Sequence, residues 1–231
     1  MLNIECLNIF VSYEAKSASN VPPDDLTTRV YTALAKASIH FEKALFESDL
    51  PEYVITWQRK RNSRGYYASG RFKAKDSDAV VDEVALNPTF FDQRTTKEIL
   101  STLVHEQVHA WQKRHGKPSR KGYHNAEWAE KMEDLGLIPS STGQPGGART
   151  GPAVSHYIEA GGRFDRACDE LLSDGFTIEF ADRLTTTAPT KGQAKSRNKV
   201  TYSCTGCGAN TWGKPGLNLI CGDCDIALAM A

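Results

Sequence analysis

The chain is 231 residues long and carries 28 basic and 28 acidic side chains, so its formal net charge is zero. A balanced charge argues against a protein whose whole surface binds nucleic acid, although it leaves room for local basic patches. Hydrophobic residues make up 40% and charged residues 24% of the sequence, which excludes wholesale disorder. The length allows one well-formed core and a small additional domain.

The sequence contains no apolar run that approaches the ~18 residues of a membrane-spanning helix. The first ten residues lack the basic start of a secretory signal, and Glu5 and Asn8 interrupt their apolar run. We therefore expect a cytosolic protein. Four of the six cysteines lie near the C-terminus as two CxxC pairs, and in a reducing compartment this spacing favours a metal site over disulfides.

Periodicity and turn signals predict elements along most of the chain, after an N-terminal extension over residues 1–21 that carries little signal. In order, they are a helix over about 25–48, strands near 54–57, 66–67 and 80–86, a helix from about 95 to 116, a helix over about 125–135, a loop over 139–153, a short helix around 164–172 and a strand over 176–180. The helix that begins near Thr95 has the clearest start, because Thr95 and Glu98 have the spacing of a capping box. The polar, basic segment 185–199 is predicted to be a linker.

Residues 105–109 read His-Glu-Gln-Val-His, an HExxH sequence within the helix predicted over 95–116. Two histidines four residues apart on a helix lie ~6 Å apart along the axis and ~40° apart around it, so both rings can reach one zinc ion. Glu106 is rotated away from His105 and is free to act as a general base toward water at the metal. The apolar neighbours indicate a buried helix, in which a histidine pair needs a partner such as a metal ion.

A catalytic zinc site needs a third protein ligand, and the sequence offers three candidates. His115 completes the histidine spacing of the metzincins, but Gln112 stands where those proteins have the glycine that turns the chain. Glu127 would give a site with a glutamate ligand. His124, at the start of the next predicted helix, can return to the site after the turn over 116–122.

Cys204, Cys207, Cys221 and Cys224 form two CxxC pairs separated by thirteen residues. Four thiolates at this spacing close a tetrahedral structural zinc site without an open position. A segment of about 30 residues has too little core to fold unaided, so we expect the metal to supply most of its folding free energy. Trp212 is predicted to belong to its small core, with an exposed residue that stacks on bases as the alternative.

Several stretches of the sequence resemble the SprT-like family of zinc metalloproteases. They are Glu83-Val-Ala-Leu-Asn-Pro88, the segment from Ile99 to His109 that contains HExxH, Gly122-Tyr-His-Asn-Ala-Glu-Trp128, and the C-terminal CxxC pairs. The motifs occur in the order that the family shows, and the likeness covers roughly residues 25–231.

The resemblance implies an α+β fold, with a zincin-like protease domain over 22–184 that has a small antiparallel sheet and the HExxH helix. A small C-terminal zinc ribbon would follow over 200–231. By position, the ligands of a catalytic zinc fall on His105, His109 and His124, and the general base falls on Glu106. The implied activity is hydrolysis of peptide bonds in proteins on or near DNA.

This resemblance leads to two hypotheses about how substrate is handled. An extended substrate peptide would pair beside the strand over 80–86. His156 and Tyr157 are candidates for transition-state support by donating to the oxyanion, with a packed helix start as the alternative interpretation of these two residues.

Basic residues concentrate in three stretches, 59–75, 113–121 and 191–199. Together with the zinc ribbon they could contact nucleic acid, in which case the affinity would fall steeply with salt. Two other functions stay open at this point. One is a non-catalytic zinc-binding regulator associated with DNA and transcription, and the other is a zinc hydrolase that acts on small amides or nucleic-acid adducts.

Overall fold

The computed structural model describes residues 25–183 and 199–230. The predicted N-terminal extension over 1–21 lies outside these residues, and so does the predicted linker apart from its last residue. The chain divides into two compact units, Met1–Leu184 and Thr185–Ala231.

The first unit is a mixed α+β structure. Its elements are α1 (Leu26–Phe46), β1 (Tyr53–Trp57), β2 (Gly65–Lys73), β3 (Val80–Leu86), a short 3-10 helix (Pro88–Phe90), α2 (Thr96–His115), β4 (Tyr123–His124), α3 (Ala126–Asp134), β5 (Leu137–Ser140), β6 (Gly151–Pro152), β7 (Ser155–Ile158) and α4 (Arg163–Ser173).

The two long helices begin where the sequence predicts because local capping groups satisfy their first amides. The carboxylate of Asp25 accepts a hydrogen bond from the backbone N–H of Thr28 at the start of α1. At the start of α2, the Thr95 hydroxyl accepts from the Glu98 amide, and the Glu98 carboxylate accepts from the Thr95 amide. The predicted capping box is therefore confirmed.

The main sheet of the first unit has the strand order β1-β3-β2. β1 runs parallel to β3, and β2 runs antiparallel to it with a bulge between Ala68 and Phe72. The predicted small antiparallel sheet is therefore wrong in one respect, because the sheet is mixed. The prediction that a peptide pairs beside residues 80–86 is also wrong, because both edges of β3 are already occupied.

The hydrophobic core of the first unit lies around α2. Leu100, Leu103, Val104 and Val108 on this helix are fully buried. Helices α1 and α4 pack against each other within the same core, where the rings of Phe41 and Phe164 stack at 5.4 Å between centroids. The HExxH helix is therefore held by packing along most of its length.

Three predictions of local structure do not match the observed fold. Residues 176–180 form no strand, because their backbone pairs with no neighbouring strand, although Phe176 is buried in the core. The predicted loop over 139–153 contains the end of β5 and all of β6. His156 and Tyr157 lie within β7, which pairs antiparallel with β5, so the alternative of a helix start is wrong.

The described part of the second unit is a small antiparallel sheet with the order β10-β8-β9, formed by Val200–Ser203 (β8), Asn210–Gly213 (β9) and Ala229–Met230 (β10). The buried Tyr202 hydroxyl donates to the Lys214 carbonyl at 2.6 Å and accepts from the Leu217 amide at 2.9 Å. Trp212 is 68% exposed, so its predicted place in a small core is wrong.

Within residues 25–183 and 199–230, we find no helix that combines the length and the apolar content needed to cross a bilayer.

Candidate metal centre

Three imidazole rings meet on one side of α2. One ring nitrogen can be chosen from each of His105, His109 and His124 so that all three atoms lie within 4.8 Å of one another. The ring centroids of His105 and His109 are 5.3 Å apart, and that of His124 lies 5.3 Å and 4.9 Å from them. Two of the rings come from successive turns of α2, and the third comes from β4.

A hydrogen-bond network at the end of α2 returns the chain so that His124 reaches the other two rings. The buried Gln112 side chain donates to the side-chain oxygens of Asn125 and Glu127, both at 2.7 Å. The Glu127 carboxylate also accepts from the backbone amide of Lys117 at 2.8 Å. A Cβ at Gly116 would lie 2.3 Å from the Glu127 carboxylate, so a larger residue there would displace this carboxylate from its hydrogen bonds.

The other two candidates for a third ligand lie elsewhere. His115 continues along α2, and its Nε2 atom lies 3.0 Å from the Asp49 carbonyl oxygen. Glu127 is engaged in the network with Gln112 and Lys117. Neither residue belongs to the cluster of possible ligands formed by the three histidines.

The indole of Trp128 forms the floor beneath the three rings. It is fully buried, and its ring centroid lies 4.8 Å from His105, 5.4 Å from His109 and 4.2 Å from His124. This apolar surrounding has an electrostatic consequence, because burial lowers the pKa of each histidine. The pKa of His105 falls well below its usual range, that of His109 falls to about 3, and that of His124 is also lowered. Neutral imidazoles are the form that binds a metal.

Glu106 is a buried carboxylate next to the histidine cluster, only 5% exposed. Burial raises its pKa to about 8, against the opposing effects of the Lys60 charge and a hydrogen bond from the Tyr67 backbone amide. The first residue of β2, Gly65, leaves little space beside this carboxylate, because a Cβ added there would lie 3.2 Å from one of its oxygens. The strand β2 and the HExxH helix therefore meet at Glu106.

Replacing Gly65 by Ala should disturb both the fold and the site. A Cβ at this position would lie 2.8 Å from the Ala85 carbonyl oxygen, 2.9 Å from a Thr102 methyl group and 3.2 Å from a Glu106 carboxylate oxygen. We expect the free energy of unfolding to fall by about 1–3 kcal/mol, as for other overpacked sites. Chemical denaturation measures this change, and an unaltered midpoint would contradict the close contact.

His156 and Ser101 extend the histidine cluster beyond His105. The Nδ1 atom of His156 lies 3.2 Å from Nδ1 of His105, and its Nε2 atom lies 2.8 Å from the Ser101 hydroxyl. Burial lowers the pKa of His156 to about 3, and the charges of Arg94 and Arg64 add to the effect. His124 is anchored differently, through Nδ1 at 3.3 Å from the Gly151 carbonyl oxygen.

The four cysteines of the second unit form a separate cluster in which all four sulfurs lie within 4.8 Å of one another. The sulfurs of Cys207 and Cys221 are 3.7 Å apart, close to the ~3.8 Å expected for two sulfurs that bind one tetrahedral zinc. A backbone hydrogen bond from Cys207 lowers the pKa of Cys204 to about 7. Hydrogen bonds with Cys207 and Cys204 raise the pKa of Cys224 to about 12. Zinc binds the ionised form of such thiols, which a bound cation stabilises.

The predicted basic stretches are partly neutralised. In the stretch 59–75, ion pairs join Arg59 to Asp182, Arg71 to Glu83 and Lys73 to Asp78. In the stretch 113–121, Arg114 pairs with Asp49, and Arg120 lies over the ring of Tyr123. Most of the stretch 191–199 lies outside the described residues.

Four residues that contact the site carry no role predicted from sequence, namely Trp128, Gln112, Ser101 and Gly65. Gln112, Ser101 and Gly65 lie far in the sequence from the site residues that they contact, so no spacing rule connects them. The one local signal is the motif at residues 122–128, which holds both His124 and Trp128.

Comparisons with known proteins bear on this arrangement. The sequence model of the SprT-like family matches residues 34–145, a range that contains the three histidines and Glu106. A protein of Salmonella typhimurium described as "Uncharacterized protein in mucB 3'region" is 36% identical over 67 residues, which are 29% of this chain and 85% of that relative. The chain belongs to the SprT-like family. No solved structure matches it.

The SprT-like match ends before His156 and before the four cysteines, so these lie beyond the part that defines the family here. The chemistry of both donor sets is consistent with zinc, because three imidazoles or four thiolates are common zinc ligand sets.

Proposed function

We propose that this SprT-like protein is a zinc-dependent peptidase with a zincin-like fold. The observation that carries the proposal is the meeting of three imidazoles from two chain segments within 4.8 Å, beside a buried carboxylate on the same helix. Family membership supports a function of the metallopeptidase type at the level of the family. His105, His109 and His124 would hold the catalytic zinc, and the four cysteines a structural zinc in a C-terminal ribbon.

When bound, zinc supplies Lewis-acid polarisation of a carbonyl group and makes water more acidic. Glu106 provides the proton transfers of peptide hydrolysis. Its buried carboxylate, with a raised pKa, accepts a proton from the attacking water and returns it to the leaving amine. The backbone amide of Tyr67 and the charge of Lys60 favour the ionised form of this carboxylate.

The substrate peptide would add to the free edge of β2. Among the described residues this strand pairs only with β3, and its residues Gly65 to Tyr67 lie next to Glu106. Pairing of main chain with main chain provides affinity with little dependence on side chains. The peptide would then lie where the carboxylate can act on it.

Zinc content tests the proposed ligands directly. We expect two zinc ions per chain by elemental analysis, falling to one in His124→Ala and staying at two in His115→Ala, which serves as the matched control. Cleavage of an unfolded protein substrate should be lost after treatment with a chelator and return when zinc is added. A zinc ion lost only in His115→Ala, or cleavage that survives chelation, would contradict the proposal.

We further propose that the protein acts on substrates at DNA, through exposed basic residues of the stretches 59–75 and 113–121, the stretch 191–199 and the ribbon. Binding to single-stranded DNA should weaken steeply as salt rises, and Arg120→Glu should lower the logarithmic salt slope by about 1–2. Lys36→Glu, the same charge reversal at an exposed site on α1, should leave the slope unchanged. A flat salt dependence in the parent would remove DNA from the proposal.

A further inference from the structure

The structure contains a chain of hydrogen-bonding groups that starts in α2 and ends at a proposed zinc ligand. The Ser101 hydroxyl donates to the Glu98 carbonyl oxygen at 2.8 Å. The same hydroxyl oxygen lies 2.8 Å from Nε2 of His156, and Nδ1 of His156 lies 3.2 Å from Nδ1 of His105. Ser101 is buried, being 2% exposed, which protects this end of the chain from water.

The directions of these hydrogen bonds follow from the number of protons available. A hydroxyl has one proton, and Ser101 uses it on the Glu98 carbonyl, so its oxygen must accept from His156 Nε2. If His105 binds a metal through Nε2, its own proton lies on Nδ1, and a hydrogen bond between the two Nδ1 atoms holds only one proton. The Nδ1 atom of His156 is then an acceptor, and His105 must donate its Nδ1–H to it.

We infer that His156, held by Ser101, is a positioning residue that fixes the tautomer and the ring orientation of His105, so that His105 presents the lone pair of Nε2 to a metal ion. This inference rests on the proposed function, because it takes His105 as a zinc ligand. The role differs from the transition-state support predicted for His156 from sequence. Both ring nitrogens of His156 are engaged, which leaves no donor for an oxyanion. The role predicted for Tyr157 stays a prediction.

This arrangement has a specific chemical consequence. A zinc-binding histidine usually donates its second nitrogen to a carboxylate, a backbone carbonyl or water. His124 follows that rule, because Gly151 provides the carbonyl. At His105 the acceptor is the Nδ1 atom of His156. This atom is free of a proton because the proton of the His156 ring lies on Nε2, which donates to the Ser101 hydroxyl. An acceptor at position 156, rather than bulk alone, should therefore determine zinc affinity.

The test compares two variants of the full chain by competition for zinc with a chelator. His156→Leu fills the site but accepts no hydrogen bond, and we expect the affinity of the histidine site to fall about 10–100-fold. His156→Asn places an amide oxygen near the position of Nδ1, and its affinity should stay within about three-fold of the parent, since the acceptor is retained. Ser101→Ala should weaken binding in the same direction as His156→Leu. Tyr157→Phe is the matched control on the same strand, and its affinity should not change.

NMR provides a readout that packing alone would not change. The zinc-loaded parent and His156→Asn should show a His105 Nδ1–H proton that is protected from exchange with water, and His156→Leu should lack it. If His156→Leu does not fold, the parent and His156→Asn spectra still decide the question. Absence of the protected proton in the parent, or equal zinc affinity in all variants, overturns the inference. A parent that binds only one zinc ion overturns the proposed function itself, so the two failures are distinguishable.

Discussion

Replacing Glu106 by Gln should lower the rate of peptide cleavage by about 10²–10⁴-fold, the usual contribution of a general base. Zinc content should stay at two ions per chain, because the ligand cluster consists of the three histidines and does not include Glu106. The free energy of unfolding should be at least that of the parent. The reason is that a neutral amide replaces a carboxyl group whose charged form burial destabilises. Cleavage assays, metal analysis and thermal unfolding measure these three properties.

The matched control is Glu130→Gln, the same change at an exposed position of α3. It should leave cleavage, zinc content and stability unchanged. If Glu106→Gln cleaves as fast as the parent, the carboxylate is not the base. If the parent itself cleaves no protein while holding two zinc ions, the regulator hypothesis would replace the peptidase. Turnover of small amides without cleavage of proteins would favour the hypothesis of a zinc hydrolase that acts on small amides or nucleic-acid adducts.

Replacing Cys204 by Ser should unfold the described part of the second unit and remove one zinc ion per chain. Structural zinc contributes roughly 10–16 kcal/mol to the folding of small domains, far more than a three-stranded sheet of this size can supply. The thiolate that is lost is also the one whose pKa the Cys207 backbone amide lowers to about 7. NMR spectra should show random-coil shifts for residues 199–230 and native shifts for residues 25–183.

Cys168→Ala is the control for this experiment. Cys168 is buried in α4, and burial raises the pKa of its thiol to about 11, so it remains protonated and unavailable as a ligand. Zinc content should stay at two ions per chain in this variant. A folded second unit in Cys204→Ser would show that its core, rather than metal, carries its stability.

The sequence predicted those parts of the fold that depend on neighbouring residues. The capping box at Thr95 and Glu98 and the boundaries of α1, α2 and α3 follow from local hydrogen bonding and helical periodicity. The grouping of His105 with His109 follows from helix geometry alone. These predictions needed no knowledge of tertiary contacts.

The remaining features depend on contacts between distant residues, which no local pattern encodes. The central position of β3 arises from its parallel pairing with β1. Apolar and polar residues alternate over 176–180 as they do in a strand, but no strand in the described part of the chain pairs with this segment. The contact of His156 with His105 joins residues 51 positions apart. Gln112, which marks a departure from the metzincin pattern in the sequence, proves to be the residue that ties the returning chain to α2.

The packing of α2 has a consequence for how this chain can change over evolutionary time. Leu103 and Val104 immediately precede His105, and both are fully buried in the core. A change of volume at either position shifts the helix against its neighbours, and with it the spacing of the imidazole nitrogens. Coordination bonds tolerate displacements of only a few tenths of an ångström. On the proposed function, the packing at Leu103 and Val104 therefore has to satisfy the geometry of the histidine site as well as the hydrophobic core.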